Sequence, residues 1–238
     1  TVTPPHDITG RVIGPYRMAH PAAAKLQRMM VKSYELLRDH PVNRERAAKG
    51  LRPANAIWLW GQGRRPRLQN FEERFGVKGV MVSAVDLLKG IGRLSGMTVC
   101  SIPGATGYID TDYEAKRDAA LRELRAGRDL AYIHVEAPDE CGHRGETENK
   151  VRAIEDIDRR ILTPLLAELG EMGEYAILIM PDHPTPLALR THTADPVPYL
   201  LYRSGQERDS GVGIFTEWAA ASTGIFVERA DALMGRLL

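Results

Sequence analysis

The chain has 238 residues, of which 43% are hydrophobic and 26% charged, with a formal net charge of +1. That balance is ordinary for a globular domain and gives no bulk electrostatic reason to bind nucleic acid or an anionic membrane. The longest apolar runs, such as Tyr175 to Met180, are far too short to span a bilayer, and two cysteines, Cys100 and Cys141, argue against a disulfide framework and for a reducing cytoplasm.

The chain starts at Thr1 and runs at once into Pro4-Pro5-His6-Asp7, without Met or a signal-peptide pattern, and reads as the interior of a longer protein. Gly10, Gly14, Pro15 and Pro21 predict loop over residues 1–20. From Ala22 to about Arg38, Leu26, Met29, Met30, Leu36 and Leu37 fall near a 3.6-residue spacing, which predicts a helix. Asn43 is a good N-cap residue and predicts a second short helix after it. Residues 54–60, an apolar run ending in Gly61-Gln62-Gly63, predict a buried strand entering a tight turn.

Beyond this point the pattern alternates. Strands are predicted at 77–83, 98–102, 130–135, 175–180 and 198–202. Helices are predicted at 85–94, 112–126, 147–169, 215–221 and 230–238. The helix at 147–169 carries Val151, Ile154, Ile157, Ile161, Leu165 and Leu169 on one stripe, and Pro164 should kink or divide it. Strands alternating with helices of this length predict an α/β fold with a mostly parallel sheet. The helix-rich start does not share the rhythm, which puts a boundary near 68–77 and divides the chain into residues 1–70 and 71–238.

Three polar clusters carry candidate chemistry. Asp139-Glu140-Cys141-Gly142-His143 follows the strand at 130–135, Asp182-His183 follows the strand at 175–180, and His192 precedes the Pro-rich entry to the next strand. In parallel α/β sheets, ligands bind outside the carboxyl ends of strands. Imidazole and carboxylate together suit Mn²⁺ or Zn²⁺. Asp139, His143, Asp182, His183 and His192, converging from three loops, can hold two ions, and a two-ion site suits phosphoryl displacement. A lone DxxxH or Asp-His pair is most often a surface pair; the ordered combination carries the inference. Glu136 and Asp195 are placed to support the ligands from behind, while His20, His40 and His134 lack such company and read as structural.

This order of clusters resembles the C-terminal half of the alkaline phosphatase superfamily. The stretches HPVN, PANAIWLWGQG, DLLKGIGRLSGM, PGATGYIDTDY and HTADPVP resemble the archaeal-type branch of cofactor-independent phosphoglycerate mutases over essentially all 238 residues. The resemblance implies an alkaline-phosphatase-like three-layer sandwich over 71–238, with 1–70 as the remnant of an inserted α+β substrate-side domain. It implies two divalent ions (manganese, with zinc, magnesium or cobalt also open), one on Asp139, His143 and His192 and the other on Asp182 and His183. It implies interconversion of 3-phosphoglycerate and 2-phosphoglycerate through a phosphoserine, without 2,3-bisphosphoglycerate.

The resemblance also implies a small phosphorylated hydroxy acid as substrate, and no nucleic-acid or membrane partner is expected. Its anionic groups call for Arg and Lys. Lys89 and Arg93, four apart on one helix, Arg64 and Arg67 after the strand at 54–60, and His6 with Asp7 are the candidates. The family's early Asp-Gly segment and nucleophilic serine have no counterpart here, since Ser33, Ser83, Ser95, Ser101, Ser204, Ser210 and Ser222 stand in other contexts. No catalytic nucleophile is therefore assigned, and these 238 residues alone are expected to be inactive. Some bacterial members of the branch carry the label homoserine kinase, which keeps another phosphotransferase, or a metal-dependent phosphatase, as the alternative. The non-enzymatic alternative is a metal-binding interaction domain.

Overall fold

Four consecutive buried residues, Gly79–Val82, form β1 and centre the larger part of the molecule. β2 (Thr98–Val99) and β3 (Leu130–Ile133) pair with it in parallel, in the order β2-β1-β3. Successive side chains of a strand point to opposite faces. Val80 and Val82 therefore share one face, where they pack with Ala119 and Ala120 of α5 (Tyr113–Arg125) and with Cys100. Met81 points the other way, against α4 (Asp86–Leu94), where a Cβ on Gly92 would lie 3.0 Å from the Met81 Cβ. Helices thus cover both faces of the parallel sheet, giving the three layers of an α/β core.

The computed structural model describes residues 2–238. They form two compact units, one ending at Arg65 and the other running from Pro66 to Leu238. In the second unit, α3 (Phe71–Phe75) is capped by the Asn70 side chain and stopped by Gly76 at φ 73°. Five residues are too few to leave a periodic signal in the sequence. α5 starts on Asp112, whose carboxylate accepts the Ala115 N–H at 2.8 Å, and ends on Arg122 and Arg125, which suit the helix dipole. The helix predicted at 147–169 is α7 (Thr147–Asp156), a π-helical turn over Ile157–Leu162, and α8 (Thr163–Met172). Pro164 divides it. Proline has no N–H to give the carbonyl four residues back, and the Arg160 carbonyl accepts from the Arg117 guanidinium at 3.1 Å instead.

β4 (Ala176–Ile179) and β5 (Leu200–Arg203) depart from the expected parallel arrangement, since they pair antiparallel in a sheet of their own. The segment 180–199 connects them. α9 (Glu217–Ser222) and α10 (Ala232–Leu237) follow.

The first unit contains α1 (Ala24–Leu37), α2 (Pro41–Ala48) and three short 3₁₀ turns. Two expectations are corrected here. The N-cap of α2 is His40, whose Nδ1 accepts the Val42 N–H, with Pro41 opening the helix. Asn43 is buried inside the helix and staples a loop: its amide donates to the carbonyls of Leu37 (2.7 Å) and Ala54 (2.9 Å) and accepts the Ala54 N–H (2.9 Å). Residues 54–60 are not a strand. A strand needs a ladder partner, and none exists among the described residues of this unit. Side chains and a distant carbonyl serve instead: Ser33 Oγ accepts the Ile57 N–H, and the Trp58 indole donates to the Thr3 carbonyl, both at 2.9 Å. The described residues of this unit are helix and coil.

Candidate metal centre

The chain leaves β3 at Ile133 and turns into α6 (Ala137–Arg144) within four residues. Asp139 and His143 lie on this helix, not in a loop as expected, and a separation of four puts both on one face. Gly145, at φ 69°, ends the helix. His143 Nδ1 lies 2.9 Å from the Arg190 carbonyl oxygen. A carbonyl can only accept, so Nδ1 carries a proton, and in the neutral imidazole that leaves the lone pair on Nε2. That Nε2 is 3.4 Å from Asp139 Oδ2 and 3.0 Å from His192 Nε2, and His192 Nε2 is 3.3 Å from Asp139 Oδ1. Asp139, His143 and His192 thus bring one ligand atom each within 4.8 Å of one another. Two imidazoles and a carboxylate are a fitting donor set for a first-row divalent ion.

Arg190 has φ 56°, a left-handed backbone that no other described non-glycine residue adopts. Its N–H is fixed to the Pro186 carbonyl at 2.8 Å, and its guanidinium packs over Gly145, where a Cβ would lie 2.7 Å from Nε. The strained turn aims the Arg190 carbonyl at His143 and so sets its tautomer.

Asp182 and His183 stand beside this trio. The His183 ring stacks on His192 with centroids 3.7 Å apart, and its Nε2 is 3.4 Å from Asp182 Oδ2. Among the described residues, no third His, Cys, Asp or Glu gathers with this pair as the trio gathers. Thr185 touches both sets, donating its hydroxyl to Asp139 and lying 3.4 Å from His183 Nδ1. A second acidic group on and before α6, Glu136, Asp139 and Glu140, shares Asp139 with the trio. Cys141 lies between ligands in sequence but is buried and joins neither group, and burial pushes its thiol up.

Beneath the site lies a buried polar layer. Lys116 is fully buried and donates to the His134 carbonyl at 3.3 Å. Burial lowers its amine to about 8, against which Glu136 pulls upward. Burial raises the Glu136 carboxyl, with Glu140 and Asp139 adding repulsion. Burial also lowers His134, whose Nδ1 is 3.2 Å from Ser83 Oγ, and that oxygen accepts the Val85 N–H at 3.0 Å.

A family model described as the metalloenzyme superfamily matches residues 20–230. The chain belongs to the metalloenzyme superfamily.

Among relatives, it is 48% identical over 238 residues to a Geobacter sulfurreducens protein named probable 2,3-bisphosphoglycerate-independent phosphoglycerate mutase, covering 100% of this chain and 59% of the relative. It is 45% identical over 237 residues to the 2,3-bisphosphoglycerate-independent phosphoglycerate mutase of Methanosarcina acetivorans, covering 99% of this chain and 59% of that one. The chain therefore spans about three-fifths of the length of these relatives. A solved Pyrococcus horikoshii protein superposes with a TM-score of 0.67 at 33% identity, over 84% of this chain and 52% of the other. The cofactor-independent phosphoglycerate mutase of Thermoplasma acidophilum does so with a TM-score of 0.54 at 27% identity, over 91% and 51%. The α/β core and the resemblance carried by the sequence motifs agree with these findings.

In this superfamily member the predicted substrate residues are divided between the two units. Lys89 is half-buried on α4 and 3.4 Å from Asp86. Arg93, Arg64 and Arg67 are exposed, with Arg64 in the first unit and Arg67 in the second. His6 lies edge-on to Trp60, centroids 5.2 Å apart, and 3.9 Å from Asp7. Sequence motifs do not reveal Lys116, Thr185 or Arg190. Lys116 alone left a trace, since it shares a helical stripe with buried Tyr113 and Ala120. Among the described residues no helix is long and apolar enough to cross a membrane.

Proposed function

We propose that this chain is the metal-binding part of a 2,3-bisphosphoglycerate-independent phosphoglycerate mutase, acting on 3-phosphoglycerate and 2-phosphoglycerate in the cytoplasm. The observation that carries the reading is the convergence of Asp139, His143 and His192, with Asp182 and His183 alongside, just past the carboxyl end of β3. Relatives named for that activity, 45% and 48% identical over nearly the whole chain, support it.

In this reading Asp139, His143 and His192 hold one divalent ion and Asp182 and His183 take part in holding a second, with manganese the first choice and zinc, magnesium or cobalt also suited to such donors. Bound there, such ions lower the pKa of a hydroxyl nucleophile and neutralise phosphoryl oxygens. The chain's own residues do the rest. The Arg190 carbonyl keeps the His143 Nε2 lone pair turned inward. Lys89, Arg93, Arg64, Arg67, His6 and Asp7 are each proposed as individual contacts to the phosphate or carboxylate of the substrate.

The phosphoryl-accepting serine is assigned outside these 238 residues. The hydroxyls of Ser83, Ser95, Ser204 and Ser222 are engaged in hydrogen bonds with His134, the Ile91 carbonyl, the Tyr175 N–H and the Ala219 carbonyl, respectively. The test is conversion of 3-phosphoglycerate to 2-phosphoglycerate by the complete polypeptide, with Mn²⁺ and without 2,3-bisphosphoglycerate. Turnover that disappears in His143→Ala and Asp182→Ala is the expected result. A folded, metal-loaded protein without mutase turnover overturns the assignment, and phosphate release to water outpacing transfer moves it to a metal-dependent phosphatase.

A further inference from the structure

The metal-site reading leaves unexplained why a buried threonine and a lysine from a separate helix meet at the edge of the ligand cluster. Thr185 is only 5% exposed. Its hydroxyl donates to Asp139 Oδ1 from α6 and lies 3.4 Å from His183 Nδ1, so one side chain touches a proposed ligand of each ion. Its carbonyl accepts from Lys150 Nζ of α7 at 2.8 Å. Gly142, on α6 between Asp139 and His143, closes the space: a Cβ there would lie 2.6 Å from the Thr185 carbonyl oxygen, 2.9 Å from its Cγ2 and 3.0 Å from Lys150 Nζ.

The peptide around Thr185 has little freedom. Pro184 and Pro186 flank it and restrict the backbone on both sides. The Pro184 carbonyl accepts the Thr193 N–H at 3.2 Å, which ties the segment to the neighbour of His192. The hydroxyl is thus held at a fixed place, and the Asp139 carboxylate is the charged group it donates to.

We propose that Thr185, clasped by Lys150, is a positioning residue that orients the Asp139 carboxylate and registers the two ligand sets against each other. The inference rests on the metal-site reading above. A carboxylate that accepts a hydrogen bond on one oxygen has its rotation stopped and its remaining lone pairs aimed. Outer partners of this kind typically govern about 10- to 100-fold in metal affinity. Lys150 fixes the height of Thr185 above α6 through its hydrogen bond to the Thr185 carbonyl.

The test is a Mn²⁺ titration of the complete polypeptide, following free Mn²⁺ by electron paramagnetic resonance. Thr185→Val keeps the shape and loses the hydroxyl, and it is expected to bind Mn²⁺ about 10- to 100-fold more weakly. Thr185→Ser restores the hydroxyl and is expected to stay within about threefold of wild type, well short of the loss seen when such a partner is removed. A merely structural role for the methyl and backbone predicts the reverse order. Lys150→Met is expected to weaken binding in the same direction as Thr185→Val. Wild-type affinity in Thr185→Val, or in Lys150→Met if Thr185→Val does not fold, overturns the proposal, as does a Thr185→Ser variant as weak as Thr185→Val. Asp139→Asn is the control: if it binds Mn²⁺ like wild type, the metal-site reading itself has failed.

Discussion

Alanine at Gly142 puts two opposing effects in one side chain. In a helix interior, Gly→Ala is worth about 1 kcal/mol of stability, because glycine loses more backbone freedom on folding. Gly170 of α8 supplies the unhindered reference, being exposed with nothing within 4 Å of where an added methyl would sit. At Gly142 the same methyl would meet the Thr185 carbonyl oxygen at 2.6 Å. Carbon and carbonyl oxygen come together at about 3.3 Å, so the Thr185 peptide must retreat by roughly 0.7 Å. Two prolines and the Lys150 ammonium resist that movement, and overpacking of this kind costs about 1–3 kcal/mol. Steric cost cancels or outweighs the propensity gain, so the two variants should differ by about 1–3 kcal/mol. For a chain of this size that is roughly 2–12 °C in Tm. Calorimetry of the metal-free proteins measures it, with Gly170→Ala above wild type and Gly142→Ala at or below it. Equal increases in both would refute the close packing of α6 on Thr185.

Two further outcomes are expected. Lys116 titrates at about 8 when folded and near 10.5 when unfolded, so between those values the unfolded chain binds more protons and stability rises with pH. The cost of burying its charge is fully present below about 8, and Lys116→Met should remove the rise, as unfolding measured at about pH 7.5, 9 and 10.5 would show. Asn43→Ala removes three partly buried hydrogen bonds and should destabilise the first unit by about 2–4 kcal/mol, read as lost hydrogen-exchange protection at the Ala54 and Ile57 amides.

The sequence made the parallel core legible because its signals are local. The buried run of β1, the N-cap at Asp112 and the apolar face of α5 each declare themselves within a few residues. Pro164 likewise marked the break in the long helix. Pairing is not local, so nothing near Ala176 or Leu200 says that these strands run antiparallel to each other, and nothing near residues 54–60 says that no strand comes to meet them. At the candidate site, Asp139, His143 and His192 are legible by residue type and order. The short helix carrying the first two is not, because its eight residues are mostly polar and open with Ala-Pro. Arg190, Thr185 and Lys150 gain their places only through contacts made across 35 to 47 residues of chain.

His143 and His192 are 49 residues apart in the chain, and between them run α7, the π-helical turn, α8 and β4. Their ring nitrogens can face each other only once that whole excursion has docked, so the cluster exists only in the folded chain. A ligand that engages both histidines therefore binds the native state in preference to the unfolded chain. At a concentration about 100 times its Kd, such a ligand would add about 2.7 kcal/mol to the native state. The cluster would then tie together the two ends of a 49-residue stretch of chain, so that opening anywhere along it costs the bound ion as well.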